Sequence, residues 1–179
     1  KDRTRLEADP IEWIRFFFPE YCKFEFAEFQ IKAIRRCIKH EEWFEVLSWA
    51  RGLAKSTTVM FIVIYLALTK KKCNVMMASA TQDSAVRLLD PYKKQLEENA
   101  LIRAYYGVQV NLGNWCAEEF VAKCGCSFRA VGAGNAPRGS RNGAVRPDVL
   151  LVDDFDTDEG CRNPDTIDKN WTWWEKALY

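Results

Sequence analysis

Residues 45–58 read EVLSWARGLAKSTT, and this stretch decides the fold. It starts with a short apolar run, passes through a basic turn and enters a long apolar segment, residues 59–68, so it predicts a strand, a loop and a helix. The turn is a variant of the phosphate-binding pattern G-x-x-x-x-G-K-S/T. Lys55 and Ser56 hold the last two positions of the pattern, whereas Ala54 replaces its second glycine and Gly52 is the only glycine in the turn.

The chemistry of such a turn survives the replacement. Its backbone N–H groups, together with the N-terminus of the following helix, can converge on an anion. Lys55 adds a positive charge at the outer phosphates, and Ser56 offers a hydroxyl to Mg²⁺. With Ala54 before the lysine, the loop is expected to have a backbone that an L-residue adopts, so that glycine is not obligatory there. The alternative is a basic turn capped by Ser56, with Lys55 merely solvated.

Composition sets the broad class of the protein. The 179 residues, 48% hydrophobic and 28% charged, fit one globular domain, which we divide into an N-terminal helical segment, 1–42, and a core, 43–179. The net charge of +1 gives no overall evidence for a nucleic-acid or membrane partner. No apolar run approaches the roughly 18 residues of a membrane-spanning helix. Seven scattered cysteines and a single histidine do not match zinc-site spacing and favour a reduced intracellular protein.

The order of elements predicts an α/β fold. Strands at 43–49 and 74–79, each followed by a helix (56–70 and 83–99), are typical of a parallel sheet with crossover helices. Residues 147–154 form a strand without a polar face, which places it in the middle of that sheet. Three further helices are predicted: one at 11–18, one that ends at about residue 40 and one at 165–178. Antiparallel edge strands or hairpins are predicted at 104–110, 114–122 and 127–131. An aromatic core cluster is predicted at 16–29, and a glycine- and arginine-rich loop at 132–146.

Two carboxylates follow the last buried strand. In a nucleotide-hydrolysing site, Mg²⁺ is held by the loop serine and by an acid at the end of a neighbouring strand, and Asp153 fits that position. Asp154 is the candidate for positioning the attacking water, provided that the strand ends there. The alternative is a pair of carboxylates that only cap a strand end.

Three arginines and one glutamine complete the candidate set. Arg51 lies inside the phosphate loop and can act within its own subunit, while Arg138 and Arg141 lie on the glycine-rich loop and can act in cis or on a neighbour. For the latter two, a flexible basic loop is the open alternative. Gln30 can read an adenine edge, because an amide offers both a donor and an acceptor.

Five motifs in this order resemble one known family, the large terminase subunit of tailed bacteriophages, in its ATPase domain. The arginine within the phosphate loop is the most specific of the features, and the Arg-Gly-Ser-Arg loop shortly before Arg-Pro-Asp is the second. The motifs are FAEFQ at 26–30, ARGLAKS at 50–56, MASATQ at 77–82, PRGSR at 137–141 and RPDVLLVDD at 146–154.

The resemblance implies a P-loop NTPase of the RecA/ASCE-like type, a three-layer sandwich with a mainly parallel central sheet and antiparallel edge strands. It implies ATP and Mg²⁺ as cofactors, with Ser56 and Asp153 at the metal. Asp154, Arg51, Arg138 and Arg141 would be catalytic, one of the last two as a finger offered to the next subunit. The residues expected to bind the nucleotide are Gln30, Arg51, Gly52, Leu53, Ala54, Lys55, Ser56 and Thr57.

The resemblance also implies a partner set. In the family, a pentameric homo-oligomeric ring works at the portal protein with the small terminase subunit and drives double-stranded DNA into a procapsid in the host bacterial cytoplasm. The isolated domain can be a monomer, and no membrane is involved. The chain is expected to be an excised fragment, with the nuclease domain outside it.

The sequence departs from the family pattern at Ala54 and at Asp154, where many members carry glutamate. A helicase-like ATPase and a non-catalytic nucleotide- or DNA-binding module are the alternative functions.

Overall fold

The computed structural model describes residues 2–135, 144–155, 160–173 and 175. Within these ranges the chain is an α/β protein with one four-stranded mixed sheet. The helices are α1 (Arg3–Ala8), α2 (Pro10–Phe17), α3 (Glu28–Lys39), α4 (Lys55–Leu68), α5 (Gln82–Glu98), α6 (Ala100–Tyr106) and α7 (Pro164–Trp173), with a 3-10 turn at Gly160–Arg162. The strands are β1 (Asn74–Ser79), β2 (Glu119–Val121), β3 (Ser127–Gly132) and β4 (Val149–Val152).

The sheet has the strand order β2-β3-β1-β4. β1 is parallel to both neighbours, with Asn74 opposite Ser127 in β3 and Val75 opposite Val149 in β4. β2 is antiparallel to β3. The carboxyl ends of β1, β3 and β4 therefore lie at the same edge of the sheet, which is the usual place for a ligand site in such folds. The mostly parallel sheet with one antiparallel pair confirms the α/β prediction and is compatible with a three-layer arrangement.

Short-range signals set the helix boundaries. Asp9 caps α2 by accepting a hydrogen bond from Ile11 N at 2.9 Å, and Thr81 caps α5 by accepting one from Ser84 N at 3.1 Å. Asn99 Oδ1 accepts from two amides of the first turn of α6 at 3.0 Å, and Gly107, with φ +78°, ends that helix. The strand predicted at 104–110 is therefore wrong: residues 104–106 are the end of a capped helix that stops at Gly107, and residues 107–110 belong to no described strand.

The core is built around α4. Ten of its fourteen residues are buried, which confirms the helix predicted from the long apolar segment 59–68. An aromatic cluster of Trp13, Phe17 and Tyr65 packs beside it, with Trp13 and Tyr65 edge to face at 5.1 Å. The predicted core cluster at 16–29 is only partly correct, since Phe24 is 89% exposed.

The segment 43–49 is not a strand, contrary to the prediction, and it pairs with no described strand. Its side chains bind α3 instead: Glu45 forms an ion pair with Arg36 and accepts a hydrogen bond from Trp43 Nε1 at 2.6 Å. A groove of about 490 Å³ is lined by this segment on one side and by β4 on the other. Among the described strands β4 is thus an edge strand and not the middle strand that was predicted.

The predicted antiparallel edge is confirmed for β2, although it is shorter than residues 114–122. β3 lies inside the sheet because it also pairs in parallel with β1. Asp148 ties the start of β4 to β1, since its carboxylate accepts hydrogen bonds from Cys73 N and Asn74 N, both at 2.8 Å.

Candidate functional site

The phosphate loop and the end of β4 meet at one mouth of the groove. Lys55 Nζ lies 3.5 Å from Asp153 Oδ1, and their side chains are 38% and 26% exposed. Ser56, on the first turn of α4, lines the same groove. Two residues 98 positions apart in the sequence are thereby brought together.

The start of α4 is arranged to receive an anion. Ala54 is the N-cap, and its carbonyl accepts the first helical bond, from Thr58 N at 2.9 Å. Its methyl side chain offers no acceptor to the N–H groups of the first turn. These groups and the helix dipole leave positive potential next to Lys55.

Ala54 has a left-handed backbone, φ +55° and ψ +35°. This is the conformation for which glycine is favoured, because a Cβ there approaches the following carbonyl oxygen at a cost of about 1 kcal/mol. The expectation of a backbone that an L-residue can adopt is therefore met only at a steric cost. Alanine is tolerated here, and the motif has glycine at this position for a steric reason.

Ala54→Gly is expected to raise the free energy of unfolding by up to about 1 kcal/mol, because it relieves the left-handed alanine. Urea denaturation of the two proteins measures the difference. The matched control is Ala104, a solvent-exposed residue within α6. Ala104→Gly is expected to lower stability by about 0.5–1 kcal/mol, and equal destabilisation by both changes would contradict the strain at Ala54.

Gln30 lies beside the loop and uses its side chain to hold it. Its Oε1 accepts from Ala27 N at 2.9 Å, and its Nε2 donates to Leu53 O at 3.1 Å. The side chain thus joins the start of α3 to the phosphate loop. Reading of an adenine edge by Gln30 stays a prediction.

Asp153 and Asp154 follow β4 directly, and β4 ends at Val152. The condition that the strand ends before the two carboxylates is met. Asp153 N donates to Ala78 O at 3.2 Å, whereas Asp154 has a left-handed backbone with φ +46° and an exposed side chain. The carboxylate of Asp153 therefore faces Lys55, and that of Asp154 is exposed to solvent.

The predicted arginines are only partly located. Arg51 is exposed in the loop next to Gly52, which has φ +86°. Arg138 and Arg141 lie outside the described residues. The other predicted loop contacts, Leu53 and Thr57, lie at the loop and the first turn of α4, close to Lys55 in the chain.

The donors at this site suit Mg²⁺. The hydroxyl of Ser56 and the carboxylate of Asp153 are hard oxygen ligands, and Mg²⁺ takes few of these from the protein, completing its shell with water and phosphate oxygens. No group of three or more His, Cys, Asp or Glu side chains within the described ranges could hold a metal ion by itself. The pair thus fits an ion that arrives with a phosphate ligand.

Sequence reasoning missed two neighbours of the site. Tyr92, 2% exposed, lines the groove, and burial together with the charge of Asp153 raises the pKa of its phenol above the ordinary value. Ser79, also 2% exposed, contacts the backbone of Asp154. Ser79 is the last residue of a strand that runs toward the site, which was a usable signal; Tyr92, inside an amphipathic helix, gave none.

Comparisons with protein-family models, with curated proteins and with solved structures found no match. In the part of the chain that the structure describes, no helix has the length and apolarity needed to cross a membrane.

Proposed function

We propose that this chain is a Mg²⁺-dependent P-loop ATPase. The observation that carries the proposal is the 3.5 Å separation of Lys55 Nζ and Asp153 Oδ1 at the N-terminus of a buried helix. A lysine at a helix start, next to the carboxylate that ends a parallel strand, is the arrangement that phosphate binding with a divalent cation requires.

Each side chain has a definite task in this proposal. The N–H groups of the first turn of α4 bind phosphate oxygens, and Lys55 exchanges its contact with Asp153 for the outer phosphates. Ser56 and Asp153 would hold the metal ion. Bound Mg²⁺ supplies positive charge that offsets the charge developing on the transferred phosphoryl group.

Asp154 orients the attacking water and accepts its proton. Because its carboxylate arm is one methylene shorter than that of glutamate, the water must lie closer to the backbone of residue 154. Arg51 can stabilise charge on the γ-phosphate within the same subunit. Arg138 or Arg141 would supply the same charge in cis or from a neighbouring subunit.

We further propose that this ATPase is the motor domain of a viral terminase. The support is the order of the five motifs, above all the arginine within the phosphate loop and the Arg-Gly-Ser-Arg loop. In that role the protein acts as a homo-oligomeric ring with a portal protein and a small terminase subunit and moves double-stranded DNA. Local basic loops must make the DNA contacts, because a net charge of +1 provides little overall neutralisation of phosphate.

Nucleotide binding is the direct test. Titration with a fluorescent ATP analogue and Mg²⁺ is expected to give saturable binding that weakens at least about tenfold in Lys55→Ala, because a charge-assisted contact contributes about 1.5–3 kcal/mol. Lys94 is an exposed lysine on α5, and Lys94→Ala is the matched control. This variant is expected to bind the ATP analogue with wild-type affinity. Equal affinity in all three proteins would refute the phosphate-loop function. Binding without turnover would instead favour a non-catalytic nucleotide-binding module.

A further inference from the structure

The backbone of Asp154 has a left-handed conformation that is uncommon for a residue other than glycine. Its φ of +46° lies in the left-handed region, which aspartate enters more readily than most residues with a Cβ but still at a cost in free energy. Such conformations persist only where the surrounding structure fixes them, and they concentrate at functional sites. The contacts that fix residue 154 therefore bear on the proposed function.

Two donors from the end of β1 hold the carbonyl of Asp154. Ser79 Oγ donates to Asp154 O at 3.2 Å, and Ala80 N donates to the same oxygen at 3.1 Å. Ser79 is 2% exposed, so its hydroxyl has little access to competing water. One residue earlier, Asp153 N donates to Ala78 O at 3.2 Å, which continues the pairing of β1 with β4 up to the two carboxylates.

Ser79 is itself fixed from the opposite side. Its carbonyl accepts a hydrogen bond from Ala133 N at 2.9 Å, directly after β3. Ser79 thus lies between the continuation of β3 and the continuation of β4, at the carboxyl edge of the sheet. Because the backbone of Ser79 is fixed on both sides, its hydroxyl is in place to hold the carbonyl that it contacts.

The side chain of Asp154 has no such support. It is exposed and makes no hydrogen bond or ion pair to another side chain in the described ranges. Its direction is therefore set by its backbone, and the left-handed turn directs it differently from Asp153, which faces Lys55. In a continued strand, the direction of the Asp154 side chain would be fixed by the pleat of the sheet, on the face opposite to Asp153.

We propose that Ser79 is a positioning residue for the Asp154 carboxylate. The Ser79 hydroxyl fixes the left-handed backbone of residue 154, and this backbone places the carboxylate at the water that attacks the phosphate. The inference rests on the proposed ATPase function, in which Asp154 acts on that water, and it adds a residue outside the phosphate loop and the acidic strand.

The test uses the full chain and compares turnover with nucleotide binding. Ser79→Ala is expected to lower kcat for ATP about tenfold, as loss of one hydrogen bond permits, while the dissociation constant for the nucleotide stays within about twofold. Ser127→Ala is the matched control, a buried serine at the opposite end of the sheet, and is expected to leave kcat unchanged.

A double variant separates positioning from a general structural role. Asp154→Asn keeps a residue that tolerates the left-handed conformation but removes the carboxylate. If Ser79 acts through that carboxylate, adding Ser79→Ala to Asp154→Asn lowers the residual rate no further. A further tenfold loss in the double variant, or a change in nucleotide affinity without a change in kcat, would overturn the proposal.

A spectroscopic readout covers the case in which the chain does not turn over ATP. The backbone NMR chemical shifts of residue 154 and the three-bond coupling between its amide proton and Hα report its φ. In Ser79→Ala they are expected to move from left-handed toward extended values, whereas unchanged values would overturn the positioning role. Absence of ATP hydrolysis in the wild type would refute the ATPase function by itself, so the two failures are distinguishable.

Discussion

Lys55→Ala is expected to reduce Mg²⁺-dependent ATP hydrolysis by about 10²-fold or more, the loss typical of removing one preorganised group that stabilises transition-state charge. Lys55 is the only basic side chain that the described structure places against Asp153, so no neighbour there replaces its charge. Phosphate release at saturating ATP measures the effect. Because the Lys55 side chain is 38% exposed and packs no core, the variant is expected to keep the unfolding midpoint of wild type.

Controls for Lys55→Ala separate chemistry from assembly. Lys94→Ala should hydrolyse ATP at the wild-type rate, and turnover per molecule should rise with protein concentration if a neighbour supplies an arginine. Mixing Lys55→Ala with a variant lacking both Arg138 and Arg141 would then restore part of the activity, since each supplies what the other lacks. Concentration-independent turnover would indicate a cis mechanism that uses Arg51. Wild-type turnover in Lys55→Ala would contradict the ATPase proposal.

Gly132→Ala is expected to lower the free energy of unfolding by about 3 kcal/mol or more, at the upper end of overpacking effects. A Cβ at position 132 would lie 2.4 Å from Gln82 N and 2.8 Å from Thr81 C. These are backbone atoms at the start of α5, so no side-chain rotation relieves the clash. Either β3 or the N-terminus of α5 must move, and the hydrogen bond from Gly132 N to Gln82 Oε1, 2.8 Å long, is then strained.

Gly113→Ala is the matched control, because a Cβ at position 113 meets no atom within 4 Å and its φ lies outside the positive range. Urea denaturation is expected to leave this variant within about 0.5 kcal/mol of wild type. If Gly132→Ala unfolds at the same urea concentration as Gly113→Ala, the close approach of β3 to α5 is not present in solution.

Local pattern was sufficient for the elements nearest the site. The all-apolar run after Lys55 predicted α4, and Asn74–Ser79 and Val149–Val152 emerged as strands because their side chains leave no polar face. The spacing of the phosphate-binding pattern predicted that Lys55, Ser56 and Asp153 share one site, and in the structure Lys55 Nζ lies 3.5 Å from Asp153 Oδ1.

A contact between segments accounts for one of the errors, and local helix signals account for another. Residues 43–49 have a strand-like composition, but the ion pair of Glu45 with Arg36 holds them to α3 and away from β4. Residues 104–110 have β-forming side chains, yet the Asn99 cap and the stop at Gly107 make residues 104–106 the end of a helix.

The sequence by itself determined the α/β class, the apolar helix that follows the turn at 50–54 and the two carboxylates directly after β4, because periodicity and turn chemistry act over a few residues. The tertiary structure alone decided the order of the strands, the left-handed backbones of Ala54 and Asp154, and the contact of Ser79 with residue 154. These features depend on which distant segments supply hydrogen-bond partners and space, and that information is absent from any local stretch of the chain.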